Sequence, residues 1–316
     1  MAWIHRWRYG WGVGGTSAVT KEPFDGTSMP SYVAITPARN EAQNLLRLAA
    51  CMIEQTLPPD QWIIVDNGST DDTLAIARKL ADEHAWISVA EVSGEAVETR
   101  GAPVVRAFHA GVESIDGRPE FVVKLDADVS FSSDYFAQQS EAFRLDPSLG
   151  IAGGICLEPT PDGSWMAARV TRDHVRGAVR AYRWECLHQV VPLEERMGWD
   201  GIDELKAQVH GWHVRSLAEL VFYHHRVIGS REAKWPKWVR QGDMAHFMGY
   251  RYSYLVARTL YYLPKEPSAI GMLWGYGNAV VSRKPRCAAE AAIRHLRRQQ
   301  SFRALPSRMR EKLGLA

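Results

Sequence analysis

The segment Phe121-Val-Val-Lys-Leu-Asp-Ala-Asp128 joins a short apolar run to two carboxylates. The apolar part predicts a buried β-strand over 121–125. Because alternate residues of an extended segment point to the same side, Asp126 and Asp128 can face one point at the carboxyl end of that strand. Hard divalent cations prefer oxygen ligands, so the pair suits a cation together with a diphosphate. A solvated, aspartate-rich turn is the alternative for the triplet taken alone.

Strands and helices are predicted to alternate upstream of this segment. Buried strands are expected at 32–36, 61–65 and 87–92, and helices at 41–55, from the cap residues 69–72 to Leu80, and at 104–112. Such alternation predicts an α/β fold with a parallel sheet and helices on its faces. Ligands of these sheets bind outside the carboxyl ends of the strands, where Thr36-Pro37, Asp66-Asn67 and Asp126 fall.

Three motifs follow the first, second and fourth predicted strands: Thr36-Pro-Ala-Arg-Asn-Glu41, Val65-Asp-Asn-Gly-Ser-Thr-Asp-Asp-Thr73 and Lys124-Leu-Asp-Ala-Asp-Val129. In this order and spacing, the set resembles the nucleotide-sugar-binding half of a family 2 glycosyltransferase of the GT-A fold. The resemblance covers about residues 32–211 and is specific as a set, although each motif alone is weak. It implies a Rossmann-like, mostly parallel sheet with helices on both faces, followed by a C-terminal helical extension.

The resemblance implies nucleotide-sugar contacts from these motifs and from one helix. Asp66 can accept a hydrogen bond from a ring N–H of the base, and Glu41 can accept one from a ribose hydroxyl or the base. A turn aspartate and a first-turn helix carboxylate are the respective alternatives. Arg106 stands where the family often has a basic residue near the nucleotide, although a surface helix arginine is equally consistent. The full set is Thr36, Pro37, Ala38, Arg39, Glu41, Asp66, Asn67, Arg106, Lys124, Asp126, Ala127 and Asp128.

The segment Gly198-Trp-Asp-Gly-Ile-Asp-Glu-Leu-Lys-Ala207 resembles the family's acidic motif, in which one carboxylate is the catalytic base. When Leu205 and Gly211 are aligned with the family motif, Asp200 falls at the position of the base. Asp203, one helical turn further on, is the alternative. Either carboxylate can instead cap the helix that follows or lie in its first turn. The candidate acceptor contacts are Trp199, Gly154 and Gly177. Trp199 can form an apolar wall for a sugar ring, and a core tryptophan is the alternative.

The segment Phe222-Tyr-His-His-Arg226 supplies the rest of the implied site. In many GT-A enzymes a histidine after the acidic motif completes the metal site, so His224 or His225 is expected to join the aspartates of 126–128 around Mn²⁺ or Mg²⁺. Adjacent histidines on a strand point to opposite faces, so at most one reaches the metal. The alternative to a metal ligand is a histidine that is hydrogen-bonded within the protein or exposed on its surface. Arg226 can neutralise a departing diphosphate or make an ordinary ion pair.

The resemblance implies an inverting transferase. A sugar moves from a nucleotide-diphospho-sugar, with UDP favoured, to a hydroxyl of a glycan, glycolipid or small molecule. A metal held by Asp128, with Asp126 alongside, stabilises charge on the leaving diphosphate, and one carboxylate takes the proton of the attacking hydroxyl.

Three other classes fit the sequence less well. A nucleotidyltransferase usually carries a glycine-rich loop after the first strand, and 37–41 is not glycine-rich. A glycoside hydrolase needs a carboxylate pair across a sugar and leaves the Asp66 motif unexplained. A non-catalytic nucleic-acid-binding module leaves both acidic segments unexplained, so no nucleic-acid partner is expected.

Composition places these motifs in an ordinary globular chain of 316 residues. Four scattered cysteines without a CxxC pair argue against a disulfide scaffold or a zinc ribbon and are compatible with a reducing cytosol. The start lacks the apolar core of a signal peptide, and no run approaches the roughly 18 apolar residues of a spanning helix. The expected location is therefore cytoplasmic.

The net charge of +2 hides a basic end, because residues 265–316 carry eleven Lys and Arg against three Asp and Glu. Together with the aromatic and aliphatic runs 250–263 and 270–281, this end is compatible with peripheral contact at the cytoplasmic face of a membrane. Packing of these helices on the catalytic domain, or between two subunits of a homodimer, is the equal alternative. The predicted regions are an irregular arm (1–30), a nucleotide-sugar-binding half (31–130), an acceptor-binding and catalytic half (131–230) and a basic helical extension (231–316).

Overall fold

The computed structural model describes residues 30–93, 101–160, 162–168, 174–226 and 233–301. Residues 1–29 of the predicted arm and 302–316 of the predicted basic tail lie outside the described residues. From Tyr32 the chain alternates strand and helix, as expected. The elements are β1 (Tyr32–Ala38), α1 (Ala42–Ile53), β2 (Gln61–Asp66), α2 (Thr73–Glu83), β3 (Ile87–Glu91), α3 (Ala102–Glu113) and β4 (Phe121–Leu125).

The first four strands pair in parallel within one sheet, in the order β3-β2-β1-β4. Alternate residues of β1 point to opposite faces, so Ala34 packs with Leu45 of α1 on one side and Ile35 packs with Phe108 of α3 on the other. A Cβ at Gly111 of α3 would stand 2.3 Å from the Ile35 side chain. The predicted α/β arrangement with helices on both faces is therefore confirmed.

The second half of the chain extends the same sheet with antiparallel and parallel strands. It contains β5 (Val129–Phe131), α4 (Tyr135–Leu145), β6 (Leu149–Pro159), β7 (Trp165–Ala167), β8 (Val179–Arg183), α5 (Trp184–Val190), α6 (Trp199–Val209) and β9 (His213–His224). The full order is β3-β2-β1-β4-β8-β6-β9-β5, with β7 on β6. Because β8 is antiparallel to β4, the loop that precedes β8 lies beside the carboxyl end of β4.

In the part of the chain that the structure describes, four α-helices follow the sheet and confirm the predicted helical extension. They are α7 (Lys234–Phe247), α8 (Tyr252–Tyr262), α9 (Gly271–Val281, preceded by the 3-10 helix Pro267–Ile270) and α10 (Glu290–Gln299). Prolines at 264, 267 and 285 lie between them, because proline lacks the N–H that would continue a helix. In the described ranges, every helix is too short or too polar to cross a lipid bilayer.

Candidate active site

Two carboxylates and an imidazole converge just after β4. Ligand atoms of Asp126, Asp128 and His224 all lie within 4.8 Å of one another, and His224 Nε2 is 3.2 Å from Asp128 Oδ1. Asp128 and His224 are buried, whereas Asp126 is partly exposed. The two aspartates come from the turn between β4 and β5, and the histidine ends β9. This donor set of two oxygens and one nitrogen can hold a divalent cation.

The pairing of β9 with β5 decides which histidine joins the aspartates. His224 stands opposite Val129 in the ladder, directly after Asp128, and its side chain is buried. The next residue turns away, so His225 Nε2 lies 2.7 Å from Ser130 Oγ while its backbone N–H donates to the Asp128 carbonyl. The structure therefore brings His224, and not His225, to the two aspartates.

A buried lysine holds the turn of the aspartate pair. Lys124 is 3% exposed, and its Nζ pairs with Asp126 and donates to the Gly177 carbonyl at 2.7 Å. Burial raises the pKa of Asp126, with Lys124 opposing and Asp128 adding to the shift. For Asp128, burial is outweighed by the hydrogen bond and charge of His224, and the pKa is lowered. Ala127 is buried between the two carboxylates.

One arginine joins the aspartate pair to the loop after β1. Arg226 Nη2 donates to both Glu41 oxygens at 2.8 Å, and its Nε lies 3.4 Å from Asp128 Oδ2. Glu41 also accepts a hydrogen bond from Asn44 Nδ2 at 2.6 Å. A half-exposed cation thus stands between two carboxylates whose own positions are fixed.

Asp66 ends β2 with a carboxylate that is only half satisfied. Its Oδ2 accepts from the N–H groups of Gly68 and Ser69, each at 3.1 Å. Asp66 is 3% exposed, and its Oδ1 is buried without a hydrogen-bond partner among the residues that the structure describes. A buried acceptor without a donor carries a desolvation cost, which a ligand N–H can remove.

The loops after β1 and β2 are tied together by side chains. Asn40, at φ 55°, accepts from the Thr70 N–H at 2.8 Å, and the Glu41 N–H donates to Thr73 Oγ1 at 2.8 Å. The Ala38 carbonyl accepts from the Asn67 N–H. These contacts fix the backbone on which Glu41 and Asp66 stand.

The other predicted nucleotide contacts have mixed surroundings. The Thr36 hydroxyl accepts from Trp62 Nε1 at 2.9 Å inside the core, so only its backbone is available to a ligand. Pro37 is partly exposed and Arg39 is exposed at the carboxyl end of β1. Arg106 pairs with Glu195 at 2.6 Å on an exposed surface. The nucleotide roles of these residues stay predictions.

Asp200 lies at the start of α6, close to Gly177, whose carbonyl accepts the hydrogen bond from Lys124. A Cβ at Gly177 would stand 2.8 Å from the Trp199 ring and 3.7 Å from Asp200 Oδ2. Lys124 Nζ is 5.6 Å from the Trp199 ring centroid. No described residue donates a hydrogen bond to the half-buried Asp200 carboxylate, which keeps it available as a proton acceptor.

Asp203, the alternative base, is engaged inside the protein. Its Oδ1 accepts from Arg180 Nη2 at 2.7 Å, and its Oδ2 accepts from Tyr182 Oη at 2.5 Å. Burial raises the pKa of Asp203 to about 7, which suits a base. Geometry favours Asp200 instead, because the Asp203 side chain is 1% exposed and both of its oxygens are occupied; the choice of base stays a prediction.

Arg180 is the important residue that the sequence analysis missed. It is fully buried, pairs with Asp203 and Glu204, and its Nη2 donates to the Asp200 carbonyl at 2.9 Å. An arginine within the apolar run of β8 was the available signal, since arginine is rarely buried without partners.

Gly154, a predicted acceptor contact, lies in the middle of β6. A Cβ there would stand 2.7 Å from the Leu220 carbonyl oxygen and 2.8 Å from Tyr135 Oη. Close packing of β6 on β9 therefore accounts for this glycine. Its acceptor role stays a prediction.

Comparisons with known proteins concern the family and the fold of this chain. The sequence model described as glycosyl transferase family 2 matches residues 33–182. The mannosyltransferase PcManGT of Pyrobaculum calidifontis, solved with GDP-Man and Mn²⁺, is similar over 92% of this chain and 84% of its own, at 15% identity and a TM-score of 0.53. S. aureus TarS 1-349 with UDP-GlcNAc is similar over 68% of this chain and 65% of its own, at 16% identity and a TM-score of 0.51.

A third solved structure is similar over a smaller part of its length. GalNAc-T7, solved with UDP, GalNAc and Mn²⁺, is similar over 65% of this chain and 45% of its own, at 13% identity and a TM-score of 0.51. No curated protein sequence matches significantly. At these identities the structural likeness shows the GT-A fold. The family match and the fold together lead to one conclusion: residues 33–182 of this chain match glycosyl transferase family 2 and lie in a GT-A fold.

Proposed function

We propose that this protein transfers a sugar from a nucleotide-diphospho-sugar, with UDP favoured, to an acceptor hydroxyl with inversion at the anomeric carbon. The acceptor class is a glycan, a glycolipid or a small molecule. The observation that carries the proposal is the convergence of Asp126, Asp128 and His224 beside Arg226. A diphosphate is stabilised by cations close to it. The cluster supplies both a set of metal ligands and the guanidinium of Arg226.

The donor set fits Mn²⁺ or Mg²⁺. Asp128, Asp126 and His224 would hold the ion, which when bound supplies a Lewis acid for the charge on the leaving diphosphate. Lys124 keeps the Asp126 carboxylate in place. Arg226 lies beside Asp128 and adds a positive charge to that of the metal ion. Asp66 Oδ1 is proposed to accept the ring N–H of the base.

Asp200 is proposed to take the proton of the attacking hydroxyl. A single carboxylate opposite the leaving group gives inversion in one step and needs no covalent nucleophile. Trp199 is 7% exposed and packs in the core against Gly177, so its predicted contact with the sugar would use only the edge of its ring beside Asp200.

The test is donor turnover by the full-length chain, with UDP-, GDP- and dTDP-sugars, each with and without Mn²⁺ or Mg²⁺. We expect metal-dependent release of a nucleoside diphosphate, reduced at least about 100-fold in Asp128→Ala and unchanged in Asp116→Asn, an exposed control. Full activity in both Asp128→Ala and EDTA contradicts the metal site. Release of pyrophosphate from a nucleoside triphosphate would instead indicate a nucleotidyltransferase, the alternative.

A further inference from the structure

The outward face of α9 is an apolar surface without charge. It consists of Ile270, Trp274, Gly277 and Val281, which follow one another at helical spacing, and we call it the α9 face. Trp274 and Val281 are 65% and 83% exposed. The helix itself carries no charged residue. Isolated exposed apolar residues are ordinary, but a continuous stripe of them on an uncharged helix marks a contact surface.

The opposite side of α9 is already used. A Cβ at Gly275 would stand 2.0 Å from the Val239 carbonyl oxygen of α7, and one at Gly242 of α7 would stand 2.1 Å from the Met272 carbonyl oxygen. The two helices are thus in backbone contact on that side. The α9 face cannot turn inward without breaking this contact.

More exposed apolar residues border the α9 face at its start. Leu260 and Tyr261 at the end of α8 are exposed, as is Trp235 at the start of α7. The Trp238 and Tyr262 rings, 5.2 Å apart, join the two helix ends. Exposed apolar residues therefore occur on all three of these packed helices.

Cations stand at both ends of this surface. Lys234, Lys237 and Lys265 are exposed at one end, and Arg283 and Arg286 at the other. Residues 252–286 contain five Lys and Arg and one acidic residue, Glu266, whose carboxylate pairs with Lys234 at 2.9 Å. The rim of the apolar surface is therefore positive.

We propose that the α9 face docks on an anionic lipid surface. An interfacial helix buries its apolar side about 5–10 Å into the boundary between headgroups and acyl chains, and flanking cations attract anionic headgroups. Tryptophan and tyrosine suit this depth because one end of each ring is apolar and the other is polar.

The charge of the rim favours lipid over a second copy of the chain. Two copies joined through the α9 face would bring their positive rims together, and protein interfaces are depleted in lysine. An anionic bilayer instead offers opposite charge to the cations of the rim that have no carboxylate partner.

The docking surface is coupled to the candidate site through α7. A Cβ at Gly198, at the start of α6, would stand 2.7 Å from Met244 Sδ of α7, whose other side holds α9. Two helix packings of 8–10 Å put a bilayer on the α9 face about 20 Å from the helix that carries Asp200. An acceptor presented by a membrane fits this distance; that last step, unlike the docking itself, rests on the proposed function.

The experiment is co-sedimentation of the full-length chain with vesicles. One set is phosphatidylcholine alone, and the other contains about one third phosphatidylglycerol. The variants are Trp274→Ser/Val281→Ser and Lys265→Glu/Arg286→Glu, and the matched control is Leu145→Ser, which removes an equally exposed side chain (68%) from α4. Analytical ultracentrifugation of each protein without lipid measures self-association.

We expect the wild type and Leu145→Ser to bind the anionic vesicles, and each double variant to bind at least about tenfold more weakly. Binding that is absent in the wild type, or unchanged in Trp274→Ser/Val281→Ser, overturns the proposal. The proposal is also overturned if the wild type self-associates and Trp274→Ser/Val281→Ser abolishes that self-association, because a second copy of the chain then covers the α9 face. Donor turnover in lipid-free solution should be the same in all four proteins. If turnover fails while vesicle binding holds, the transferase proposal fails and the docking surface stands.

Discussion

Arg226 Nη2 lies 2.8 Å from both carboxylate oxygens of Glu41, although 185 positions separate the two residues in sequence. The same guanidinium reaches Asp128, with its Nε 3.4 Å from Oδ2. Arg226 thereby connects the loop after β1, which is predicted to bind the nucleotide, to the candidate metal ligand Asp128. A ligand that spans the two, such as a nucleoside diphosphate with its metal, would meet this arginine between them.

We expect Arg226→Met to raise the donor KM about tenfold or more. Methionine keeps most of the length of the side chain and removes the positive charge beside the diphosphate. The carboxylates of Glu41 and Asp128 then lose the cation that pairs with them. Steady-state kinetics with the preferred donor measure the change. Arg78→Met is the control, because Arg78 pairs with Glu91 on an exposed surface of α2 and β3. Equal effects of the two variants would assign Arg226 to ordinary surface pairing.

Asp66→Asn should reduce nucleotide binding and leave the fold intact. Asparagine can still accept from the Gly68 and Ser69 N–H groups, but it offers an N–H₂ where Oδ1 now lacks a donor. Replacing an acceptor by a donor against a ring N–H costs about 1–3 kcal/mol.

A thermal-shift panel of UDP, GDP and dTDP with Mn²⁺ tests this, because a ligand that binds the native state raises its melting temperature. The wild type should show its largest shift with one base, and Asp66→Asn should lose that preference. A preference that survives the change would place base recognition elsewhere.

Asp200→Asn should separate transfer from donor binding. Loss of a general base lowers the rate of transfer by about 10²–10⁴. Because Asp200 is not part of the Asp126, Asp128 and His224 group that could hold the metal, the metal-dependent thermal shift with nucleoside diphosphate should persist. Single-turnover transfer measures the first effect. An Asp200→Asn protein that transfers sugar at the wild-type rate would remove Asp200 from the mechanism.

Asp203 predicts a pH dependence of stability. Burial raises its pKa to about 7 even though Arg180 opposes the shift. The folded-state pKa lies above that of the unfolded chain, so the stabilisation from the bound proton is complete below about pH 4 and is lost as pH rises through about 7. The amide that Asp203→Asn puts in its place does not titrate in this range.

The free energy of unfolding of the wild type should therefore fall relative to Asp203→Asn between about pH 4 and pH 7, by an amount on the order of a few kcal/mol. Chemical denaturation across this range measures the difference. Asp116→Asn, with an exposed side chain, should run parallel to the wild type. A difference between wild type and Asp203→Asn that stays constant with pH would mean that Asp203 is ionised throughout.

Local pattern was sufficient for the first half of the fold. Strand β4 begins and ends where its apolar run does, since every residue of Phe121–Leu125 is buried on one face or the other of a central strand. The positions of Asp66 and Asp126 at the ends of their strands follow from the same alternation. The division into nucleotide and acceptor halves stays a prediction, and both halves contribute strands to one sheet.

The sequence by itself predicted a pair of carboxylates at the end of β4, with at most one of two adjacent histidines beside it. Its resemblance to a family added a base near residue 200, which stays a prediction. Only the tertiary structure shows which of these side chains lie together and which are already engaged. His224 is selected because the β5–β9 register places it after Asp128, and Asp200 is left available because a buried Arg180 on β8 engages Asp203. Contacts between residues far apart in sequence depend on strand register and helix docking, which local periodicity does not specify.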